Sequence, residues 1–291
     1  MYSIIYNKFP GNKSCDSKPS KKFENRISTL PLLIIHISAI KTHIMQKLKF
    51  FIITLMIFSV NAIVAQTTTA VDRFDKVIIS PHIEVTFIEG NEESVTIEKC
   101  TVDKKKLNIE VNNKTLRIYL DGAKELTKNN KVYDNGYKEK QPIYKGTVVT
   151  AIVTYKTMND LSVRGEETQV CKSLLEGDKF RLKIYGESHV ILTQVNLGEL
   201  QTTIYGESVL DIKSGSIDHQ KYTTYGESKI NSLAVNSNTA RIIAYGESNF
   251  QVNTSEEIKI TAIGEAKLEY KGNAVINKGL HIGEMQIAKL D

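Results

Sequence analysis

The chain has 291 residues, of which 38 are basic and 33 acidic, giving a formal net charge of +5. Residues 1–65 contain nine of the basic and two of the acidic residues, so residues 66–291 hold 29 basic and 31 acidic residues, a net charge of −2. Because the positive excess belongs to the first 65 residues, the charge of the remaining chain does not support nucleic-acid binding, and we expect no nucleic-acid partner.

A secretory signal peptide is predicted at residues 45–65. Two lysines are followed by an apolar run of about 16 residues and then by the small residue Ala65, the order found in cleaved export signals. The alternative is a transmembrane anchor, but a spanning helix needs roughly 20 apolar residues, and this run is shorter and contains Asn61. We therefore expect export and no membrane span in the mature chain. Because export signals are N-terminal, residues 1–44 are interpreted as an over-long gene start.

The mature chain contains two cysteines, Cys100 and Cys171. Exported proteins reach compartments in which disulfides form and persist. The sequence leaves two possibilities open, which are a disulfide between these residues and two buried free thiols.

Short β-strands are predicted within residues 74–120. Stretches such as "KVIISPHIEVTFIEG" and "KLNIEVNNKTLRIYL" are rich in β-branched residues and are bounded by Gly, Asn and Asp turn signals. Residues 121–146 are polar and charged without periodicity, which predicts a surface loop. The mature chain is therefore divided into an N-terminal β-segment with a polar loop, 66–146, and repeat coils, 147–291. We expect 66–291 to form one domain.

A motif of about 20 residues recurs in the second part, where Gly-Glu returns at spacings of 21, 20, 20, 20, 18 and 19 residues. Four copies extend to Tyr-Gly-Glu-Ser. Fixed self-similarity of this period indicates an all-β solenoid whose coils each hold two or three short strands. The glycines are predicted to be structural corners between sheets, because a corner needs unusual backbone angles and close approach to its neighbours. They are Gly165, Gly186, Gly206, Gly226, Gly246, Gly264 and Gly283.

The columns of the repeat alternate in polarity. Positions two and four before the glycine are mostly apolar, and the position four after it is apolar throughout the coils that follow Gly165. Period-two alternation is typical of strands packed on one side, so even offsets are predicted to face the core. The second position after the glycine is a serine in four copies, small enough for the inside of a corner. Tyrosine and glutamate occupy odd offsets and are predicted to face outward, unless a β-bulge at the corner reverses this order.

Stacked coils place equivalent residues about 4.8 Å apart, which predicts two ladders on the surface. The tyrosine ladder consists of Tyr185, Tyr205, Tyr225 and Tyr245. It has two interpretations, packing between neighbouring rings and a stacking surface for sugar rings. The glutamate ladder consists of Glu187, Glu207, Glu227, Glu247 and Glu265. It is either a solvated stripe or the site of a guest cation, but calcium needs six or more oxygens and one column supplies too few. We expect no metal site and no cofactor.

A basic column lies five residues before the corner glycines. It contains Arg181, Lys221, Arg241, Lys259 and Lys278, and it is interrupted by Gln201. About 20 Å of strand separates this column from the glutamate ladder, which argues against ion pairs within one coil. Such a stripe has two interpretations, a contact for an anionic polysaccharide and a solvated charged face.

Catalytic residues are not predicted. His189 stands in an exposed column with no partner implied, and the sequence has no nucleophile elbow, phosphate loop or Cys/His cluster. A polysaccharide-active lyase or hydrolase of superhelical fold is the alternative, and it would require one coil that differs from its neighbours.

The order of these parts resembles one protein family. The stretches "FDKVIISPHIEVTFIEGNEESVTIE" and "TYKTMNDLSVRGEE", followed by serial Gly-x-small corners, are similar over most of residues 71–291 to the putative auto-transporter adhesin, head GIN domain family of Gram-negative bacteria. The resemblance implies a right-handed superhelix similar to pectin lyases, no recognised catalytic residues and a role in adhesion. The Gly-Ile-Asn of the family name appears here as His82-Ile83-Glu84, and the usual Gly-Ala/Ser-Gly corner appears as Gly-Glu-Ser.

We therefore predict an exported β-solenoid that acts as a binding or structural surface in the envelope of a Gram-negative bacterium, in the periplasm or at the cell surface. The two ladders are its candidate surface. The sequence does not identify the partner; an envelope or host glycan or protein fits the resemblance, and an enzyme is not expected.

Overall fold

The computed structural model describes residues 67–134 and 137–291, together with Lys47. The predicted gene start at 1–44 and, apart from Lys47, the predicted signal peptide at 45–65 lie outside the described residues. Strands make up 75% of the structure and form a β-solenoid of about six turns, which confirms the predicted all-β solenoid. Within residues 67–134 and 137–291, the one helical element is a 3-10 turn at Lys104–Lys106.

Seventeen strands build the described chain. The first eight are β1 Thr67–Ala70, β2 Lys76–Ile79, β3 Ile83–Glu89, β4 Ser94–Cys100, β5 Leu107–Asn112, β6 Thr115–Leu120, β7 Asn129–Asp134 and β8 Tyr137–Pro142. The other nine are β9 Val149–Tyr155, β10 Asp160–Gly165, β11 Thr168–Gly186, β12 His189–Gly206, β13 Val209–Ile212, β14 Gly215–Tyr225, β15 Ser228–Lys271, β16 Val275–Ile282 and β17 Met285–Lys289. Several strands are long because pairing continues through the corners, and β15 runs for 44 residues.

The coils stack in parallel with the register that the repeat predicts. Tyr185 lies opposite Tyr205, which lies opposite Tyr225, which in turn lies opposite Tyr245. Since these partners are 20 residues apart, the chain advances by one strand spacing with each repeat of the motif.

The first coil is made by β2 and β3. β2 pairs in parallel with β10, and β3 pairs in parallel with β11, so the coil lies directly against the coil of Gly165. β6 pairs in parallel with β2, and β9 pairs in parallel with β3. Beyond these two strands the pairing becomes antiparallel, because β6 pairs with β5 on one side and β9 pairs with β4, which pairs with β1, on the other. The parallel stack therefore ends in antiparallel strands at its N-terminal end.

The polar segment at 121–146 is not the simple surface loop that was predicted. It contains β7 and β8, which pair antiparallel as a separate two-stranded sheet. The prediction is wrong because these strands lack apolar alternation; those of their side chains that are described are mostly exposed. The dipeptide Asn135-Gly136 stands between the two strands in the sequence and is the signal that would have indicated a hairpin.

The core runs along the inside of the coils. Even-offset side chains of the central coils are buried, as predicted, and the fully buried column four residues after the glycine includes Val190, Leu210, Ile230, Phe250 and Leu268. The alternation continues through the corners without reversal, so tyrosine and glutamate point outward. Burial of this apolar column against its neighbours holds successive coils together.

Glycine and serine specify the repeated corner. Gly226 has a φ of 114°, and a Cβ at this position would lie 2.8 Å from the carbonyl oxygen of Gly206 in the preceding coil. Only glycine permits this conformation and this close approach at low cost. Two residues after the glycine, the buried Ser208 Oγ donates a hydrogen bond to the Gly186 carbonyl oxygen at 2.8 Å. Where serine is present, it therefore ties its corner to the corner of the preceding coil.

The last coil departs from the register of the others. The pairing of β15 with β16 shifts between Ile260 and Ala262, so Lys278 lies opposite Ile260, while Lys259 lies opposite Asn277. The assignment of Lys278 to the basic column is therefore wrong, because β16 contains an extra residue that spacing alone does not locate. The basic column ends at Lys259.

Both cysteines of the described chain are free thiols. Cys171 is buried in β11, whereas Cys100 is half-buried and its thiol donates to the Val102 carbonyl oxygen at 3.3 Å. Of the two possibilities left open by the sequence, free thiols are present, and one of them is fully buried.

Candidate functional site

Four tyrosine rings form a continuous stack on the outer surface. The ring centroids of Tyr185 and Tyr205 are 5.0 Å apart, and those of the next two pairs, through Tyr225 to Tyr245, are 4.9 Å apart. The interplanar angles are only 6°, 3° and 5°. Because this spacing matches the separation of neighbouring strands, the register of the coils is sufficient to align the rings.

Parallel stacking limits the ring surface of the tyrosine ladder that is accessible to a ligand. Each inner ring face is covered by the next ring, so a sugar ring has no face to stack on within the ladder. The edges and hydroxyl groups remain accessible, since the side chains of Tyr205, Tyr225 and Tyr245 are 41%, 39% and 38% exposed. The geometry favours packing between rings, worth about 0.5–1.5 kcal/mol per pair beyond burial, with a row of hydroxyl groups facing the solvent.

Arg164 covers the free face at the N-terminal end of the tyrosine ladder. Its guanidinium carbon lies 4.8 Å from the centroid of Tyr185, a cation–π contact. Its Nε lies 2.7 Å from Glu125 Oε2, and Glu125 also accepts a hydrogen bond from Arg117. Partial burial opposes ionisation of Glu125, but the hydrogen bonds and charges of the two arginines outweigh it and lower the pKa of this carboxyl. The ladder therefore ends in a fixed ion-pair cluster.

The glutamate ladder follows the corner glycines directly and is longer than predicted. Glu166 and Glu284 extend it at its two ends, and all seven members are exposed. Among the described residues, none of them forms an ion pair with another side chain. Neighbouring carboxylates about 5 Å apart in water repel each other by roughly 1 kcal/mol. The ladder is thus a row of uncompensated negative charge.

The basic column is partly neutralised. Arg181 Nε lies 3.0 Å from Asp160 Oδ2, and Lys221 Nζ lies 2.6 Å from Glu199 Oε2. Arg241 and Lys259 are exposed, and neither forms an ion pair within residues 67–134 and 137–291. No member of the column pairs with the glutamate ladder, as the separation along the strand predicts.

A cleft of about 470 Å³ opens beside the start of the ladders. It is lined by side chains that include Pro81, His82, Leu126, Arg164, Glu167 and Tyr185. The coil of Gly165 differs here from its neighbours, because Arg164 occupies the tyrosine column and Glu167 occupies the serine column. In the sequence, this coil is marked only by its departure from the repeat of the later coils.

Glu167 is buried, with 6% of its surface exposed. Its Oε2 accepts a hydrogen bond from the Glu166 backbone N–H at 3.1 Å, and its Oε1 lies 3.8 Å from His82 Nδ1. Burial raises the pKa of the Glu167 carboxyl, and hydrogen bonds from the backbone of Glu166 and His82 oppose that rise. The carboxyl group is therefore held by the corner itself.

The model of the putative auto-transporter adhesin, head GIN domain family matches residues 73–274. The chain belongs to this family. No curated protein matches this sequence.

Solved structures of similar fold include three from Bacteroides and Parabacteroides species. A putative adhesin from Bacteroides fragilis NCTC 9343 has a TM-score of 0.64 and 15% identity, and the match covers 77% of this chain and 96% of that chain. A putative lipid binding protein from Parabacteroides distasonis ATCC 8503 has a TM-score of 0.57 and 16% identity, covering 78% and 96%. A putative adhesin from Parabacteroides merdae ATCC 43184 has a TM-score of 0.54 and 16% identity, with the same coverage. At these identities the likeness shows a common fold.

This member of the head GIN domain family makes its first corner with a histidine. His82 stands where the family name has glycine, yet it adopts a φ of 70°, in the left-handed region. Its ring is held on both sides, since Nδ1 donates to the Gly146 carbonyl oxygen at 2.8 Å and Nε2 lies 2.7 Å from Thr127 Oγ1. The turn is kept because these hydrogen bonds offset the cost of a left-handed non-glycine residue.

His189 has a partner, contrary to the sequence-based expectation. Its Nε2 lies 2.8 Å from Asp211 Oδ2, and Lys213 Nζ lies 3.3 Å from the same oxygen. Partial burial disfavours the ionised form of Asp211, but hydrogen bonds from His189 and Lys213 outweigh it and lower the pKa of Asp211. The partner was missed because Asp211 belongs to the next coil and to a column two residues further along. Asp211 also lines a groove of about 360 Å³.

Within the described residues, no three His, Cys, Asp or Glu side chains are arranged to hold a metal ion. In the same part of the chain, no helix has the length and apolar character needed to cross a membrane.

Proposed function

We propose that the chain is an exported cell-envelope protein of the adhesin type, and that the surface carrying the tyrosine and glutamate ladders is its binding surface. The observation that carries this proposal is the repetition of the same exposed side chains on successive coils. A repeated surface presents many equivalent contacts to an extended partner, whereas a catalytic site needs one distinctive set of groups. Membership of an adhesin-named family supports the same role.

Export to the periplasm or cell surface of a Gram-negative bacterium is part of this proposal. Its support is the predicted signal peptide at 45–65 and the similarity to proteins from Bacteroides and Parabacteroides. The test is mass spectrometry of the protein recovered from the native envelope. The expected mature N-terminus is Gln66, and peptides from residues 1–44 in the mature protein would contradict the proposal.

One observation favours a second candidate, a polysaccharide-active lyase or hydrolase. The coil of Gly165 differs from its neighbours and lines a cleft with His82, Arg164 and Glu167. However, the two ring nitrogens of His82 are already engaged, Glu167 accepts a backbone hydrogen bond, and Arg164 is paired with Glu125. Groups that hold the corner are not free to move protons on a substrate, so binding is the preferred function.

A parallel screen separates the two candidates. The purified protein is tested for binding to glycans and matrix proteins and, on the same polysaccharides, for release of cleavage products. The double variant Tyr205→Ser/Tyr225→Ser should lose binding, while the matched variant Glu176→Ser/Asp178→Ser, at exposed positions away from the ladders, should retain it. Product release, or equal binding by both variants, would contradict the proposed binding surface.

A further inference from the structure

The ladder surface carries opposite charges along its two borders. We define the ladder face as the outward positions five, three and one residues before each corner glycine, together with the position one residue after it. One border is the basic column, the other is the glutamate ladder, and the tyrosine ladder lies between them. Apolar surface is left exposed within it, because Ile263 continues the tyrosine column and is 39% exposed. The face therefore combines exposed apolar side chains with two charged rows of opposite sign.

Most charges of this face lack ion-pair partners within the described residues; the exceptions are Arg181, which pairs with Asp160, and Lys221, which pairs with Glu199. The glutamate ladder has no ion pairs, and Arg241 and Lys259 are likewise unpaired in the described residues. The free cations belong to coils whose glutamates are Glu247 and Glu265, about six residues and 20 Å further along the strand. This distance is too great for pairing within one coil, so compensation must come from another molecule or from salt.

We propose that the partner of the ladder face is a second copy of this chain, bound side by side with its solenoid axis parallel to the first. The two copies are related by a two-fold axis parallel to the solenoid axis, placed midway between the positions three and one residues before the glycine. This axis brings the position five residues before the glycine in one copy opposite the position one residue after the glycine in the other copy. Arg241 then faces Glu247 of the second copy, and Lys259 faces Glu265 of the second copy. By symmetry each of these pairs occurs twice.

Spacing favours a second copy over other partners. Both charged rows repeat at the strand separation of about 4.8 Å, and only another solenoid of the same coil height keeps charges in step over many coils. An antiparallel arrangement of the two solenoids is disfavoured. It requires a two-fold axis perpendicular to the solenoid axis, which brings each column against the same column of the other copy and places like charges together. Complementary charge thus selects the parallel arrangement.

The area of the ladder face sets the expected affinity of the dimer. Six coils at about 4.8 Å and six residues at about 3.3 Å give a face on the order of 500 Å² per copy. Stable interfaces typically bury about 800 Å² per partner, so we expect a weak dimer. Its dissociation constant should rise with salt, because exposed charges are screened within about 8 Å at physiological ionic strength.

The experiment is a charge swap measured by sedimentation velocity. The two variants are Arg241→Glu/Lys259→Glu and Glu247→Lys/Glu265→Lys. Each variant alone places like charges opposite each other and should bind itself at least about tenfold more weakly than wild type. An equal mixture of the two restores every pair and should form a heterodimer. The matched control Glu176→Lys/Asp178→Lys changes charge at exposed positions outside the face and should dimerise like wild type.

The outcomes distinguish this inference from the proposed function on which it rests. A wild-type protein that stays monomeric from about 1 μM to 1 mM in low salt, the range in which a weak interface assembles, would overturn the dimer. Failure of the mixture to associate would also overturn it, and circular dichroism of each variant shows that it is folded. If the protein is monomeric but Tyr205→Ser/Tyr225→Ser loses glycan or matrix binding, the binding surface stands and only its assignment to a second copy fails.

Discussion

The early corners of the solenoid and the later ones are built from different side chains. His82 forms the first corner in a left-handed conformation, and the buried Glu167 stands at the second corner where later coils have serine. Each later corner stacks on a nearly identical corner, so the same residue pattern, glycine followed two residues later by serine, recurs. The His82 corner contacts Thr127 and Gly146, which belong to no coil. The sequence therefore repeats where the structural surroundings repeat.

The largest effect is expected at a central repeated corner. Gly226→Val introduces a side chain at a φ of 114° and directs its Cβ against the Gly206 carbonyl oxygen. We expect a loss of roughly 2 kcal/mol or more in the free energy of unfolding, from backbone strain and crowding of stacked coils. The measurement is urea denaturation followed by circular dichroism.

Gly283→Val is the matched control for that experiment. It lies at the last corner, where a distorted coil loses contacts on one side only, so the cost should be smaller. Small and equal losses at Gly226 and Gly283 would contradict the stacked-corner account.

Neutralising the glutamate ladder is expected to change the free energy of unfolding by a smaller amount and in the opposite direction, as a gain in stability. Replacing Glu207, Glu227 and Glu247 with glutamine removes the repulsions among them, and the amides can hydrogen-bond along the stack. Stability in low salt should rise by up to about 1 kcal/mol, and salt should reduce this gain by screening the wild type. Thermal unfolding of both proteins with chelator and with calcium is the measurement. Stabilisation of the wild type by calcium that is lost in the variant would instead assign a cation to the ladder.

Glu167→Gln tests whether the second corner depends on pH in a way that later corners do not. Burial raises the pKa of Glu167 in the folded protein, so between the unfolded and folded values the folded state keeps a proton that the unfolded state has lost. The stability of the wild type relative to the variant should therefore fall as pH rises through the folded pKa. Denaturation curves from about pH 4 to pH 7, around the ordinary carboxyl range, measure this difference. A difference that stays constant or increases with pH would contradict the assigned burial.

The smallest effect concerns the two thiols. Burial raises the pKa of Cys171 to about 12, and the thiolate is the reactive form, so this residue should resist alkylation in the native protein. Cys100, in the half-buried end of β4, should be modified first. Mass spectrometry of peptides from native and unfolded protein gives the order, and equal native labelling of both cysteines would show that β11 opens readily.

Much of the repeat region was predictable because its signals are local and recur. The glycine column, the even-offset core and the outward tyrosines follow from period-two alternation and a constant coil length. The extra residue in β16 was not predictable, since the Gly264 to Gly283 spacing of 19 falls within the range of the other coils. Lys278 was misplaced for that reason.

Contacts between segments that are distant in the chain could not be predicted from the sequence. The cluster of Arg117, Glu125 and Arg164 joins the segment that follows β6 to the coil of Gly165, and no spacing relates them. The partner of His189 was missed for the related reason that it lies in the next coil. The cleft beside the ladders is built from such contacts, so only the departure of Glu167 from the serine column pointed to it.

Distances between spin labels test whether each Gly-Glu-Ser corner lies directly on the preceding one. Nitroxides are attached to cysteines replacing Glu207 and Glu247, or Glu187 and Glu284, in a variant in which the two native thiols are removed. Two coils of separation predict about 10 Å between backbone positions and five coils predict about 24 Å, so the distance should grow with the number of coils. Distances that do not increase with coil number would contradict the stacked solenoid.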